Sequence, residues 1–233
     1  MLIHSGKEVK YHSFLETSLI RSMAYRRSAL MEKRLANNRR RILAATRQRV
    51  AAGGLRAAQI AAVAETAGVS TGMIYRYFRS KSELLVEALR EAVQREIELL
   101  QEIRRGPGSA RQRLYAAVAC FTRRALTGPN LAYAFIAEPA EAEVDAARIQ
   151  ARRKLSAVFK AILREGIASG EFPAQDVEAS ASCIVGAYTE ALIGPLRHAR
   201  QRIKDPERRI AAIAEFCVRA VSRPPRSRSV ARA

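Results

Sequence analysis

Acidic residues, histidine and cysteine are all scarce in this chain of 233 residues, and each scarcity closes off a class of function. The three histidines, His4, His12 and His198, show no metal-ligand spacing and no His-Glu-x-x-His run, so neither a zinc centre nor a histidine-based catalytic site is assembled. The three cysteines, Cys120, Cys183 and Cys217, are odd in number and widely spaced in apolar helical stretches. They read as buried thiols in a reducing compartment rather than as a disulfide framework. No apolar run approaches the ~20 residues that span a bilayer. The N-terminal stretch also lacks the apolar core and small-residue cleavage site of a secretory signal. A cytoplasmic protein with no membrane partner is the expectation. No segment alternates apolar and polar residues as a half-buried strand does, so no Gly-rich phosphate loop follows a strand, and Gly106-Pro107-Gly108 reads as a turn. Glu138, Glu141 and Glu143 read as a solvated acidic run rather than an acid/base pair. Enzyme chemistry, a cofactor and a metal are therefore all unexpected.

The shortage of acid has a positive meaning. Lys and Arg number 41 against 22 Asp and Glu, a net charge of +19, which calls for a polyanionic partner. Its distribution says more. Residues 1–41 carry ten Lys/Arg against three Glu, and residues 42–85 carry six basic against two acidic side chains. Residues 86–221 are nearly balanced at 21 against 17, and the tail from Ser222 adds four Arg and no acid. A basic module joined to a charge-balanced body is the footprint of a nucleic-acid-binding protein.

Ala, Leu, Arg and Glu dominate, and Gly or Pro breaks divide the chain into about nine helices with short connections. Residues 1–38 are basic and weakly patterned, and read as a disordered arm. Residues 222–233 cannot bury apolar surface and read as a disordered basic tail. Between them, helices are predicted near 39–52, 58–66, 71–78, 81–105, 109–127, 129–138, 141–169, 176–198 and 205–221. Gly53-Gly54 stops the first, whose inward stripe is Ile42, Leu43, Ala45, Thr46 and Val50.

The segment Ala67-Gly68-Val69-Ser70-Thr71-Gly72-Met73-Ile74-Tyr75-Arg76-Tyr77-Phe78 carries the function. Gly68 suits a tight turn that needs positive φ, and Ser70 can cap the next helix. Ile74 and Phe78, spaced i, i+4, anchor that helix and leave Thr71, Gly72, Met73, Arg76 and Tyr77 to face outward. Ser80 to Glu83 reads as a capping box for the long fourth helix. This is the arrangement of a helix-turn-helix, whose second helix presents its N-terminal residues to the major groove. Gly72 permits close backbone approach, while Tyr75, Tyr77 and Lys81 lie where phosphates run.

Residues 39–85 resemble the DNA-binding domain of TetR-family regulators. The resemblance is carried by Val63-Ala64, Ala67 to Ser70, Gly72, Ile74-Tyr75, Tyr77-Phe78, Ser80-Lys81 and Leu84-Leu85. One departure is plain: the family places Thr or Ser ahead of the second helix, and this chain has Ala57-Ala58 there. Gln59 and Arg56 are the nearby substitutes. The DNA-binding set is accordingly Gln59, Ser70, Thr71, Gly72, Met73, Tyr75, Arg76, Tyr77 and Lys81.

The resemblance implies an all-α fold in which a three-helix DNA-binding domain (39–85) precedes a helical ligand-binding and dimerisation domain (86–221). It also implies a cavity among the later helices, for which Tyr115, Phe121, Tyr133, Phe135, Phe159 and Tyr188 are the aromatic candidates, and their apolar majority suggests a hydrophobic small molecule. It implies a four-helix bundle made with a second copy by the last two helices. There, Gly186, Ala187 and Ala191 allow close packing, and Ile213 and Phe216 leave the last helix apolar on more than one face. The expected protein is a homodimeric repressor of a palindromic operator, released by a small-molecule effector. The rival is a basic architectural protein that binds nucleic acid without sequence preference.

Overall fold

The computed structural model describes residues 34–197 and 205–222. Residues 1–33 of the predicted arm, His198 and the tail beyond Ser222 lie outside the described residues, while residues 34–38, expected to belong to that arm, are helical. Backbone packing divides the chain into two units, Met1–Ile42 and Leu43–Ala233. The described part of the first, residues 34–42, is helical and mostly exposed, and is the opening of helix α1 (34–57).

The second unit continues α1 into α2 (Ile60–Ala67), α3 (Thr71–Tyr77), α4 (Lys81–Arg105), α5 (Ala110–Thr127), α6 (Pro129–Ile136), α7 (Ala142–Ala168), α8 (Val177–Arg197) and α9 (Pro206–Ala220). No strand occurs among the described residues. The predicted inward stripe of the first helix is buried throughout. The predicted stop at Gly53-Gly54 is more subtle. Helical turns run on to residue 57, but Gly54 takes a φ of +72°, a left-handed step that redirects the chain without ending its hydrogen bonding.

Local chemistry starts and stops these helices where the sequence places the signals. Gly68 closes α2 at φ 63°, its N–H and that of Val69 returning to Glu65 and Ala64 carbonyls. Ser70 Oγ accepts from the Met73 N–H at 3.1 Å, and Ser80 Oγ accepts from the Glu83 N–H at 3.0 Å. The Glu83 carboxylate reaches one residue further back than a capping box requires, accepting from the Arg79 N–H at 2.6 Å. A complete box, Ser109 with Gln112, opens α5. The next two N–H groups of α5 donate to Glu171, and those two bonds hold the Glu171 carboxyl below its usual range.

Two cores form. Val63, Ala64, Ala67, Ile74, Phe78, Leu84 and Leu85 are all buried where α2, α3 and the start of α4 meet. The larger core draws Leu100, Leu114, Val118, Phe159, Ile162, Tyr188 and Ala214 from α4, α5, α7, α8 and α9. Here α4 lies along α7, α5 along α9, and α7 along α8. The thiols depart from expectation. Cys217 is buried, and burial pushes its thiol up to about 11, but Cys120 is only partly covered and Cys183 is exposed. The reason is helical phase: Cys183 shares an outward face of α8 with Ala179, Ser182, Gly186 and Glu190.

Candidate nucleic-acid interface and cavity

The site around α3 follows from what its anchors remove from solvent. Ile74 and Phe78 are sealed against the first core, which fixes the roll of a helix only seven residues long. Every residue on the opposite side is then displayed: Thr71, Gly72, Tyr75 and Arg76 are exposed, with Tyr75 at 54%. Space around Gly72 is open, since a Cβ there would meet only the Ser70 hydroxyl at 3.9 Å. Met73 is half-buried, so it presents an edge rather than a full side chain.

Two of the sequence-predicted DNA contacts come together away from the helix start. Lys81 Nζ donates to Gln59 Oε1 at 3.4 Å, which joins the beginning of α4 to the beginning of α2. Both groups remain near solvent, and their pairing makes a polar patch beside the exposed face of α3. The Ala57-Ala58 departure has a structural counterpart. Ala58 is buried, Gln59 occupies the cap position of α2, and no side chain caps the helix; the Gln59 amide donates instead to the Arg56 carbonyl at 3.1 Å. Tyr77 does not display its polar end: its hydroxyl is buried without a hydrogen-bond partner among the described residues, and its ring centroid lies 6.4 Å from that of Phe78.

A cavity of about 510 Å³ opens among α4, α5, α6 and α7. Its walls include Leu89, Val93, Phe121, Leu131, Phe135, Ile136 and Leu155, and its charged lining is Glu96, Arg123, Arg124, Arg148 and Arg152. Of the six aromatic candidates, Phe121 and Phe135 line it. Phe159 and Tyr188 do not. They are sealed in the larger core, with ring centroids 5.7 Å apart, and Phe121 stacks on Tyr188 at 4.6 Å. Tyr188 thus backs the wall from behind, and desolvation drives its phenol far above the usual range. Tyr133 packs with Leu192 and Leu196. Tyr115 is exposed at a separate groove beside Arg111, Glu215 and Arg219.

The aromatic pattern of the sequence does not point to Glu96, Arg124, Arg148 or Arg152. Arg148 and Arg152 stand i, i+4 on α7, and Leu89, Val93 and Glu96 repeat at helical spacing on α4, which is a readable signal. Arg123 makes a two-pronged pair with Glu207 of α9, at 2.7 and 3.2 Å, which holds the Glu207 carboxyl below its usual range. Arg124 pairs with Glu96 at 2.8 Å. Arg148 is nearly buried, held by Asp145 and by the carbonyls of Ala134 and Glu138.

Glu138 corrects the reading of a solvated acidic run. It is half-buried just past α6, and its carboxylate accepts from the Leu55 N–H at 2.9 Å. At the other end of α6, the Asn130 amide donates to the carbonyls of Ala51 and Ala52 at 3.0 and 3.3 Å. A cavity-lining helix therefore clasps the end of α1 at two points. The acid was misread because its partner is a backbone amide 83 residues away, which no local pattern encodes.

On α8, Gly186 and Ala191 are exposed and Ala187 is half-covered; on α9, Phe216 is 55% exposed while Ile213 is buried within the subunit. An added Cβ on Gly186 or Gly194 would meet nothing within 4 Å. No helix among the described residues is long and apolar enough to cross a membrane.

Comparison with known proteins agrees with both halves of this description. The family described as "Bacterial regulatory proteins, tetR family" matches residues 42–88, and "Tetracyclin repressor-like, C-terminal domain" matches residues 107–192. The chain is 26% identical over 151 residues to the fatty acid metabolism regulator protein of Bacillus subtilis (strain 168), covering 61% of this chain and 75% of that one. It is 36% identical over 142 residues to the HTH-type transcriptional repressor KstR of Rhodococcus jostii (strain RHA1), covering 55% of this chain and 65% of the relative. Among solved structures, the regulator FadR from Bacillus subtilis in complex with stearoyl-CoA has the same fold. Its TM-score is 0.68 at 23% identity, over 78% of this chain and 98% of that chain.

Proposed function

This chain belongs to the TetR family of bacterial regulatory proteins, and from that premise we propose that it is a homodimeric repressor whose operator is released by a long-chain acyl-CoA thioester. It is a sequence-specific DNA-binding regulator of transcription. The observation that supports base reading is the displayed face of α3, where Thr71, Gly72, Tyr75 and Arg76 are exposed over the buried anchors Ile74 and Phe78. Thr71 and Met73 stand at the start of the helix, where side chains reach base edges. Tyr75, Lys81 and Gln59 flank it as phosphate contacts, which fix register rather than sequence.

The cavity supports the choice of effector. At about 510 Å³ it falls within the ~300–1,000 Å³ of small-molecule sites, and its apolar walls suit an acyl chain. Arg123, Arg124 and Arg152 are exposed at its edge, where guanidinium forks can take phosphate oxygens. The relative crystallised with stearoyl-CoA fits the same chemistry. Dimerisation is supported by the exposed small residues Gly186 and Ala191 of α8 and by exposed Phe216 of α9. Two helix-turn-helix units related by a two-fold axis require a palindromic site.

Selection of bound DNA from a random pool tests the reading. A palindromic consensus is the expected result, and enrichment without any consensus would favour the architectural rival. With that DNA in hand, stearoyl-CoA is titrated against the protein with and without operator. Linkage requires that DNA weaken the ligand by the factor by which the ligand weakens DNA; equal affinities in the two titrations would reject acyl-CoA control.

A further inference from the structure

Glu138 is held at both of its ends, and the two ends lead to different parts of the protein. Its backbone carbonyl accepts from Arg148 Nη2 at 2.6 Å. Its carboxylate accepts from the Leu55 N–H at 2.9 Å and fills the space beside Gly54, where an added Cβ would stand 2.6 Å from Glu138 Oε2. Arg148 in turn lines the cavity. It is only 7% exposed, its Nη1 pairs with Asp145, and its Nη2 also holds the Ala134 carbonyl. Its Nε is buried without an acceptor among the described residues. A buried guanidinium N–H left unpaired is a standing cost that an acceptor entering the cavity removes.

We propose that Arg148 binds the acyl carbonyl oxygen of the effector through Nε–H, and that Glu138 is the positioning residue that carries the resulting shift of Arg148 to the turn at the end of α1. This rests on the acyl-CoA reading of the cavity given above. The guanidinium is a rigid planar fork, so turning Nε toward a ligand oxygen draws Nη2 away from the carbonyls of Ala134 and Glu138. Those carbonyls lie in the last turn of α6 and just past its end, where carbonyls have few other partners once helical bonding stops. Glu138 then moves with its backbone, and its carboxylate leaves the Leu55 N–H. The end of α1 loses one of its two clasps, Asn130 on the Ala51 and Ala52 carbonyls remaining as the other, and α2 and α3 follow in sequence. Release of DNA requires only that the ligand prefer this loosened arrangement to the clasped one.

Amide hydrogen exchange at Leu55, measured by NMR on the full chain, reads the relay directly. Stearoyl-CoA is compared with S-octadecyl-CoA, a thioether with the same chain and phosphates but no carbonyl. Stearoyl-CoA should speed Leu55 exchange by about fivefold or more, the lower end of ordinary coupling factors. The thioether should bind and leave it unchanged. Equal acceleration by both would overturn the role of the carbonyl. If neither binds, the acyl-CoA reading fails, and the carbonyl contact with it, while the relay is still decided by the variants. Glu138→Ala should expose Leu55 with or without ligand and abolish the ligand's effect on DNA affinity. Glu138→Gln keeps a carbonyl acceptor for the Leu55 N–H and should restore both. Arg148→Met should also speed Leu55 exchange in the ligand-free protein, although every atom of the Glu138 side chain is still there. Leu55 exchange that ignores both Arg148→Met and Glu138→Ala would overturn the relay. A loss in Glu138→Gln as large as in Glu138→Ala would do the same.

Discussion

Helix α3 and the cavity make opposite demands on their side chains. Around α3, two buried anchors, Ile74 and Phe78, keep Thr71, Tyr75 and Arg76 in solvent, as the proposed reading of DNA by that face requires. Around the cavity, the working surface is turned inward and shares its residue types with the core. Phe121 and Phe135 line the space, whereas Phe159 and Tyr188, similar in chemistry and on neighbouring helices, are packed solid. Function can therefore be read from spacing in the first region. In the second it depends on which of several equivalent apolar residues has an empty neighbour.

The largest effect that would break this contrast is on stability. Phe159→Ala should destabilise the protein by about 3–5 kcal/mol in a denaturant melt, as loss of a sealed core ring does. Phe135→Ala, taken from a half-covered wall, should weaken stearoyl-CoA binding while shifting the melt far less. A Phe159→Ala protein that melts normally but no longer binds the ligand would move Phe159 back into the site.

That division also states how much was legible in the sequence. Helix order and boundaries came through to within a residue or two over most of the chain, since Ser70, Ser80, Ser109 and Asp205 cap where their positions suggest. The α3 face was legible because i, i+4 anchoring is a local property. The cavity was not. Aromatic residues at helical spacing identify burial and say nothing of vacancy, so Tyr115 was grouped with Phe121 although it faces another groove. Glu138 was hidden for a related reason: among Glu141 and Glu143 it looks solvated, and only the approach of the Leu55 amide gives it a task.

Assembly comes next in size. Ala191 is exposed on α8 of the single chain, so a substitution there leaves the fold of the subunit intact. Ala191→Arg should cost the dimer about 3 kcal/mol or more, the penalty of an unpaired charge placed in a packed interface. Sedimentation should show folded monomers, and DNA binding should fall with the lost two-fold pairing. An unchanged dimer would place the interface on some other face.

A smaller effect sharpens the comparison on the DNA side. Ser70 stands among the DNA-binding candidates, yet its hydroxyl accepts from the Met73 N–H, so part of its work is structural. Ser70→Ala should cost about 1 kcal/mol, the ordinary value of an N-cap. It should weaken every DNA sequence in proportion, because the start of α3 frays for all of them. A melt unchanged within about 0.3 kcal/mol would assign Ser70 to DNA contact alone, below the range seen for caps.

The smallest change in stability accompanies the sharpest change in function. Thr71 is exposed at the first turn of α3, and no side-chain hydrogen bond to the described residues ties it to the fold, so Thr71→Ala should leave the melt within about 0.5 kcal/mol of the parent. Its effect belongs in the binding profile. Loss of a base-edge contact changes the ranking of operator variants at one position in each half-site, whereas loss of a phosphate contact lowers all of them together. Lys81→Ala supplies the second case. Its ammonium lies beside Gln59, and its removal should weaken specific and nonspecific DNA alike and reduce the salt slope by about one counterion. The two variants should therefore be separable on one panel of operator sequences at two salt concentrations. If Thr71→Ala shifts every sequence equally and Lys81→Ala re-ranks them, the exposed face of α3 is not the reading surface.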